Sequence, residues 1–340
     1  MTPTNQAAWL DDAGKPLRIG PAEFPTAGEG ELVIRNKALA VNPFSCRIQK
    51  TGFLVTHWPC ILDCDISGEV YEVGARVNRF KKGDRVAACV TDLFGGGSKY
   101  GAFQQFTVAE EKRVAKIPDH TSFAQASVFP VCFNTALVAL CAEEGKGFGL
   151  PGPSLNPKPL GKTIVVWGGS SSVGLETLQV ARAAGITTIA TASPCNFELV
   201  KSAGASQVLD YHAPSIVDDL VRAVRNAEGH FVGVIDCISD EELSLRSCIS
   251  MLKNVGGGKL GIVRPEKELE LPGNIEVCRI FGFNELTDPF WKDYVTPALE
   301  NGTLKCLPEP RVVGEGLERL QEALNTLDKG VSATKLVVTL

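Results

Sequence analysis

One stretch limits what this chain can fold into more than any other. From Lys162 it reads KTIVVWGGSSSVGLETLQVARAAG: an unbroken apolar run, a turn of glycine and serine, then apolar residues at helical spacing. An apolar run without a polar face marks a strand buried on both sides, as in parallel sheets covered by helices. The turn, Gly168-Gly169-Ser170-Ser171-Ser172-Val173-Gly174, carries no bulk, so its backbone can approach a ligand closely. The helix that follows offers unpaired N–H groups and a partial positive charge. Strand, glycine turn and helix N-terminus together make a cradle for a pyrophosphate. Gly169, Ser170, Ser171, Ser172, Val173 and Gly174 are expected to line it.

The pattern continues downstream. TTIATAS, SQVLDY, FVGVIDCIS, KLGIV and EVCRIFGF read as strands, and NFELVKSAG and IVDDLVRAVRNA as helices between them. Such alternation predicts an α/β domain with a doubly wound parallel sheet. The first third differs. Residues 31–42, 66–74, 83–90 and 102–110 read as short strands punctuated by glycine, which predicts an irregular barrel-type domain. Two domains suit 340 residues, more than one core usually serves. Residues 145–161, rich in Gly and Pro, read as a surface loop, and the tail as two helices and a closing strand that return to the first domain.

The net charge of −5, with no Lys/Arg cluster, argues against nucleic acid and anionic membrane surfaces as partners. The most apolar stretch, 126–142, is interrupted by Pro130 and Asn134 and falls short of the roughly 20 residues that span a bilayer. The N-terminus shows no basic segment followed by an apolar run, so a cytoplasmic location is expected. The eleven cysteines follow no regular spacing, as in chains that keep their thiols reduced.

The end of the second parallel strand bears on the choice of nicotinamide cofactor. An NAD site usually places a carboxylate there, about 20 residues past the glycines, on the ribose 2′-hydroxyl. Here the sequence is ATASPCNF, without a carboxylate from 187 to 197. Repulsion against a 2′-phosphate is thereby absent, and Ser193 and Asn196 offer hydrogen bonds to it. Lys201 and Tyr211 lie in segments that can fold toward the same pocket. NADPH is the expected cofactor.

These residues carry a resemblance. AVNP (40–43), DCDISGEVYEVGARVNRFKKGDRV (63–86), GGSSSVG, SPCNFELVKSAGASQVLDY (193–211) and NGTLKCLPEPRVVGEGLERLQEAL (301–324) are similar to the medium-chain dehydrogenase/reductases, especially their quinone-oxidoreductase and trans-acting enoyl-reductase branch and the fungal "zinc-binding alcohol dehydrogenase"-like proteins. The likeness spans nearly the whole chain. It implies a GroES-like catalytic domain over 1–132 and 290–340 and a Rossmann NADPH-binding domain over 133–289.

The resemblance also implies roles. Asn42, in the family's Asn-Pro turn, is expected to position nicotinamide or substrate. Arg47 matches a basic position that binds cofactor ribose or phosphate, and Thr135 matches a threonine near nicotinamide. Cys237, Ile238, Gly282 and Phe283 fall where the family's chain lines the cofactor. Zinc alcohol dehydrogenases carry Gly-His-Glu where this chain has Asp63-Cys64-Asp65, and a four-cysteine lobe where residues 92–112 hold no cysteine. With four histidines in the chain, a catalytic zinc site is hard to assemble, so no metal is expected; the alternative is convergence of Cys46, Cys64 and Cys132 with Asp65.

Without a Lewis acid, the chemistry that remains is hydride transfer to a carbon made electrophilic by conjugation. The expectation is NADPH-dependent reduction of an enoyl thioester or enone, the substrate free or bound to a polyketide synthase. Some enoyl reductases have a Tyr proton donor where this chain has Phe53; Lys50, His57 or water are the substitutes. A quinone oxidoreductase and a non-catalytic NADPH-binding protein stay open as alternatives.

Overall fold

The computed structural model describes residues 4–90, 97–143, 145–264 and 271–340. Part of the segment read against a structural zinc lobe, 92–96, thus lies outside the described residues. The chain divides into two compact units. One comprises Met1–Val131, Trp291–Glu300 and Cys306–Leu340; the other comprises Cys132–Phe290 and Asn301–Lys305.

The first unit begins with β1 (Asn5–Leu10), β2 (Arg18–Ala22) and β3 (Glu31–Ala40). Then come α1 (Pro43–Thr51), β4 (Cys60–Ile61), β5 (Asp65–Val73), β6 (Arg85–Cys89), β7 (Phe106–Glu110), β8 (Val114–Lys116) and α2 (Phe123–Ala126). The helix α3 (Pro130–Cys141) leads into the second unit. α1 corrects the reading of the first third as strands and turns alone. Pro43 occupies its first turn, where the missing N–H is no loss, and Gly52 ends it at φ 69 in the left-handed region. Nine residues with three buried side chains give too short an apolar stripe to stand out in sequence.

β3 organises the larger sheet. One edge pairs with β5; the other is shared by β7 along Glu31–Arg35 and the last strand, β16 (Lys335–Thr339), along Ala38–Ala40. Seven of the ten β3 residues are buried, while Glu31, Arg35 and Lys37 keep contact with solvent.

The second unit contains β9 (Lys162–Trp167), α4 (Ser172–Ala183), β10 (Thr187–Ala192), α5 (Phe197–Ala203), β11 (Gln207–Asp210), α6 (Ile216–Asn226), β12 (His230–Asp236), α7 (Arg246–Val255), β13 (Gly258–Ile262) and β14 (Ile275–Arg279). All six strands are parallel, in the order β11-β10-β9-β12-β13-β14. Strand order reverses between β9 and β12, so their carboxyl ends flank a crevice where such sheets bind ligands. α6 shows why the helices pack: Ile216, Leu220, Val221 and Val224 repeat at helical spacing and are buried against Trp167, Met251 and Leu252. α7 was not read from the sequence; its buried residues are only Cys248, Met251 and Leu252.

The tail adds α8 (Asp288–Phe290), α9 (Thr296–Glu300), β15 (Pro310–Glu315), α10 (Leu320–Asp328) and β16. β15 runs parallel to β16 at the margin of the larger sheet. The apolar segment Phe123–Cys141 meets the length and hydropathy of a membrane span, but 78% of its most apolar window is buried inside the protein. A helix with its apolar faces covered by protein serves as a core helix.

Candidate functional site

In the second unit, β9 ends at Trp167 and the chain turns through Gly168 at φ 76, a conformation that favours glycine. Ser171 caps α4: its Oγ accepts from the Gly174 N–H at 3.0 Å and donates to the Gly168 carbonyl at 2.7 Å. A Cβ on Gly174 would lie 2.3 Å from the Gly168 oxygen, so only glycine permits this closeness. The cap satisfies Gly174 and leaves the N–H groups of Ser172 and Val173, the first two residues of α4, without an intrahelical partner. Such donors at a helix N-terminus fit a pyrophosphate.

The neighbouring strand end supports this turn. The Cys237 N–H bonds the Trp167 carbonyl at 3.1 Å, and a Cβ on Gly168 would meet Ile238 at 2.7 Å. Both residues therefore lie against the glycine turn. Asp236 shapes the bend by accepting from the Ile238 and Ser239 N–H groups and, at 2.6 Å, from Ser244 Oγ. Burial, with Asp236 beside it, pushes the Cys237 thiol far above its ordinary range and leaves it inert.

Ser193 and Tyr211, at the ends of adjacent β10 and β11, meet through a 2.9 Å hydrogen bond between their hydroxyls. Asn196 lies one turn beyond Ser193, where α5 begins. Lys201 is not brought to this pair by any contact seen here: it is exposed on α5 and bonds Glu198 at 2.9 Å. Gly282 packs on Thr135, with a Cβ there 2.5 Å from Thr135 Oγ1, and Phe283 stands beside Phe281 at 5.4 Å between ring centroids.

The first unit holds a buried polar cluster around Asn42. Asp63 sits at φ 68 with its side chain fully buried. It accepts from Asn42 N (3.0 Å), Asn42 Nδ2 (2.7 Å), Ser45 Oγ (2.9 Å) and Cys64 N (2.8 Å). Four donors of this kind hold a carboxylate out of water. Asp65 accepts from Asn42 Nδ2 at 2.9 Å and from Val131 N at 2.8 Å, and pairs with the Lys335 ammonium at 3.2 Å. Lys335 also donates to Asn42 Oδ1 at 2.5 Å. Burial pushes the Asp65 carboxyl up to about 6, with Lys335 opposing and Asp63 adding to the rise. Every polar group of the Asn42 side chain is thus turned inward, and Asn42 is 2% exposed.

Arg47, one turn along α1, stacks its guanidinium over the Phe53 ring at 3.9 Å. Lys50 pairs with Asp328 at the surface. His57 is exposed, beside a shallow depression lined also by Ile48, Leu54, Cys60 and Leu62.

Cysteine and carboxylate donors do gather, though not in the set considered from sequence. Cys64, Asp65 and Cys89 place one donor atom each within 4.8 Å of one another, while Cys46 Sγ points to the Leu324 carbonyl at 3.6 Å. These donors fit a resident metal poorly. Both Asp65 oxygens already accept N–H donors, the charge is matched by Lys335, and burial holds the Cys64 thiol protonated. Sequence reading missed Asp63, Cys89 and Lys335 as members of this cluster. The one available signal was a lysine opening an otherwise apolar closing strand, KLVVTL.

Residues 28–119 match the alcohol dehydrogenase GroES-like domain family. A curated relative, Dehydrogenase orsE of Emericella nidulans, is 44% identical over 349 residues and covers 99% of each chain. The chain belongs to the medium-chain dehydrogenase/reductase superfamily. Another relative in this superfamily, Trans-enoyl reductase himH of Aspergillus japonicus, is 36% identical over 98% of this chain and 97% of its own. An alcohol dehydrogenase superfamily protein from Novosphingobium aromaticivorans shares the fold, with a TM-score of 0.79 at 21% identity over 99% of this chain and 100% of its own. Medium-chain dehydrogenase/reductases are oxidoreductases built around a nicotinamide cofactor, and the glycine turn of this chain fits that assignment.

Proposed function

We propose that the protein is a zinc-independent, NADPH-dependent reductase of activated carbon–carbon double bonds, acting in the cytoplasm on an enoyl thioester or enone, and that a polyketide synthase presents the substrate on a carrier. The observation that carries the cofactor assignment is the Ser193–Tyr211 hydroxyl pair at the end of β10, where an NAD site would put a carboxylate. The likeness to a trans-enoyl reductase at 36% identity supports the choice of reaction.

In this reading the N–H groups of Ser172 and Val173 take the pyrophosphate, and Ser193, Tyr211, Asn196 and Lys201 receive the 2′-phosphate. Cys237, Ile238, Gly282 and Phe283 line the rest of the cofactor site, with Thr135 at the nicotinamide. When bound, the nicotinamide supplies a hydride to the substrate's β-carbon. Arg47 holds a fixed positive charge on cofactor ribose or phosphate, and Phe53 keeps the guanidinium flat. Asn42 positions the site through its turn, since its amide is committed to Asp63, Asp65 and Lys335. Charge developing on the substrate oxygen is stabilised by hydrogen-bond donors already in place. With Lys50 held by Asp328 and Phe53 lacking a hydroxyl, the proton comes from His57 or water. The catalytic role falls to residues 1–132 and 290–340 and the nucleotide role to 133–289.

The test follows NADPH and NADH consumption against an enoyl thioester, an enone, a quinone and an aldehyde. Turnover of the thioester or enone with NADPH bears the proposal out. Turnover of the quinone alone points to a quinone oxidoreductase, and of the aldehyde alone to an alcohol dehydrogenase. Tight NADPH binding without turnover, even with a carrier-bound thioester, points to a binding protein.

A further inference from the structure

The ion pair between Lys335 and Asp65 joins side chains that are 4% and 0% exposed, whereas the other ion pairs described among these residues have at least one partner with substantial solvent contact. A buried pair of this kind rarely adds net stability over an apolar pair of the same size, so its retention calls for another explanation. Its geometry supplies one. Lys335 Nζ reaches two acceptors at once, Asp65 Oδ2 at 3.2 Å and Asn42 Oδ1 at 2.5 Å. The Nδ2 end of the same amide donates to Asp63 and Asp65. Asn42 is the N-cap position of α1, its side chain makes no cap to that helix, and its own N–H is fixed by Asp63. The start of α1, and with it the direction in which Arg47 leaves the helix, is therefore tied to a lysine 293 residues away on the final strand.

We propose that Lys335 is a positioning residue for the reaction: its ammonium locks the Asn42 amide and the Asn42–Pro43 turn, and so sets Arg47 against the cofactor. The inference rests on the reading that Arg47 acts on bound cofactor. Lys335 touches neither substrate nor cofactor in this assignment. It neutralises Asp65 and fixes one end of an amide whose other end the two carboxylates fix. Removing the ammonium alone leaves a buried carboxylate without its partner, which threatens the fold as well as the geometry. Removing both charges separates the two effects.

The experiment compares Lys335→Met, Lys335→Met/Asp65→Asn and Lys335→Arg in the full-length protein, by thermal melting and by kcat and KM for NADPH with a short enoyl thioester. Lys335→Met is expected to melt earlier and to lose activity. The double variant is expected to recover most of the melting temperature but to keep a KM for NADPH raised about tenfold, the size of one charge-assisted hydrogen bond. A purely structural pair predicts the opposite, kinetics returning to wild-type values along with the melting temperature, and that result overturns the assignment. Should the double variant not fold, Lys335→Arg decides. It keeps the charge, but its longer, planar guanidinium cannot occupy the buried spot where a single ammonium sits between Asp65 and Asn42. The expected result is an intact fold with KM raised several-fold, and wild-type kinetics in a folded Lys335→Arg protein overturn the proposal. Arg47→Met, run alongside, leaves the Lys335 cluster intact; unchanged kinetics there sink the functional reading independently.

Discussion

The Ser193 hydroxyl donates to the Tyr211 hydroxyl over 2.9 Å, across the carboxyl ends of two adjacent parallel strands. Each is partly exposed, so a third polar group can join the pair from solvent. If that group is a 2′-phosphate, Tyr211→Phe removes one charge-assisted donor. KM for NADPH is then expected to rise about tenfold, with NADH kinetics unchanged. Ser193→Asp places a carboxylate where NAD-preferring sites have one. It is expected to weaken NADPH by about a hundredfold and to improve NADH. Parallel kinetics with the two cofactors check both. An equal loss for NADPH and NADH would mean that the pair only braces the strand ends.

The glycine turn was legible because all its information is local. Lys162 to Gly174 carry the strand, the positive-φ glycine and the cap in consecutive residues, and the structure uses each as its chemistry dictates. The cluster around Asn42 was not legible, because its members are distant in sequence. Asp63 and Asp65 lie 21 and 23 residues from Asn42, and Lys335 lies 293 away. Only the antiparallel pairing of β16 with the end of β3 brings that lysine in. α1 escaped for a different reason. Its apolar stripe is short, and Asn-Pro before it and Gly after it are as common in turns as in helix ends.

Gly174→Ala tests the turn itself. Its Cβ would stand 2.3 Å from the Gly168 carbonyl oxygen and 2.9 Å from the Gly169 Cα, both main-chain atoms that cannot swing aside. The turn must open, and the N–H groups of Ser172 and Val173 move with it. NADPH affinity is expected to fall at least tenfold, with a loss of about 1–3 kcal/mol in stability from overpacking. Fluorescence titration with NADPH and urea unfolding read the two effects separately. Undiminished affinity in a folded variant would place the pyrophosphate elsewhere.

Arg47 and Phe53 test the other unit. The guanidinium lies 3.9 Å over the ring, an arrangement worth about 0.5–2 kcal/mol. Phe53→Leu keeps apolar bulk but loses the ring face, so KM for NADPH is expected to rise a few-fold. Phe53→Tyr keeps the face and is expected to leave KM unchanged. Arg47→Met is expected to exceed either effect, at about tenfold or more. If Phe53→Leu and Arg47→Met show the same small change, the stack is surface packing and Arg47 has no ligand.

Asp65 gives the protein a signature in acid. Burial holds its carboxyl at about 6 in the folded protein, against about 3.9 in an unfolded chain. The folded state therefore binds this proton more tightly than the unfolded state does. The contribution of this proton to stability is fully present below about pH 3.9, falls as pH rises through 6, and is gone above it. A shift of two units amounts to about 3 kcal/mol across that window. Asp63 and Lys335, the charged groups in and around the cluster, act on Asp65 in opposite directions, and burial keeps the Cys64 thiol protonated in this range. Other carboxylates titrate in the same window, so the readout is a difference between two proteins. Asp65→Asn has no carboxyl to titrate at this position, so it serves as the reference from pH 4.5 to 7.5. The melting temperature of wild type minus that of Asp65→Asn is expected to shrink as pH rises over this interval. A difference that stays flat would put the Asp65 carboxyl back in the ordinary range, and one that grows would mean that the ion pair with Lys335 outweighs burial.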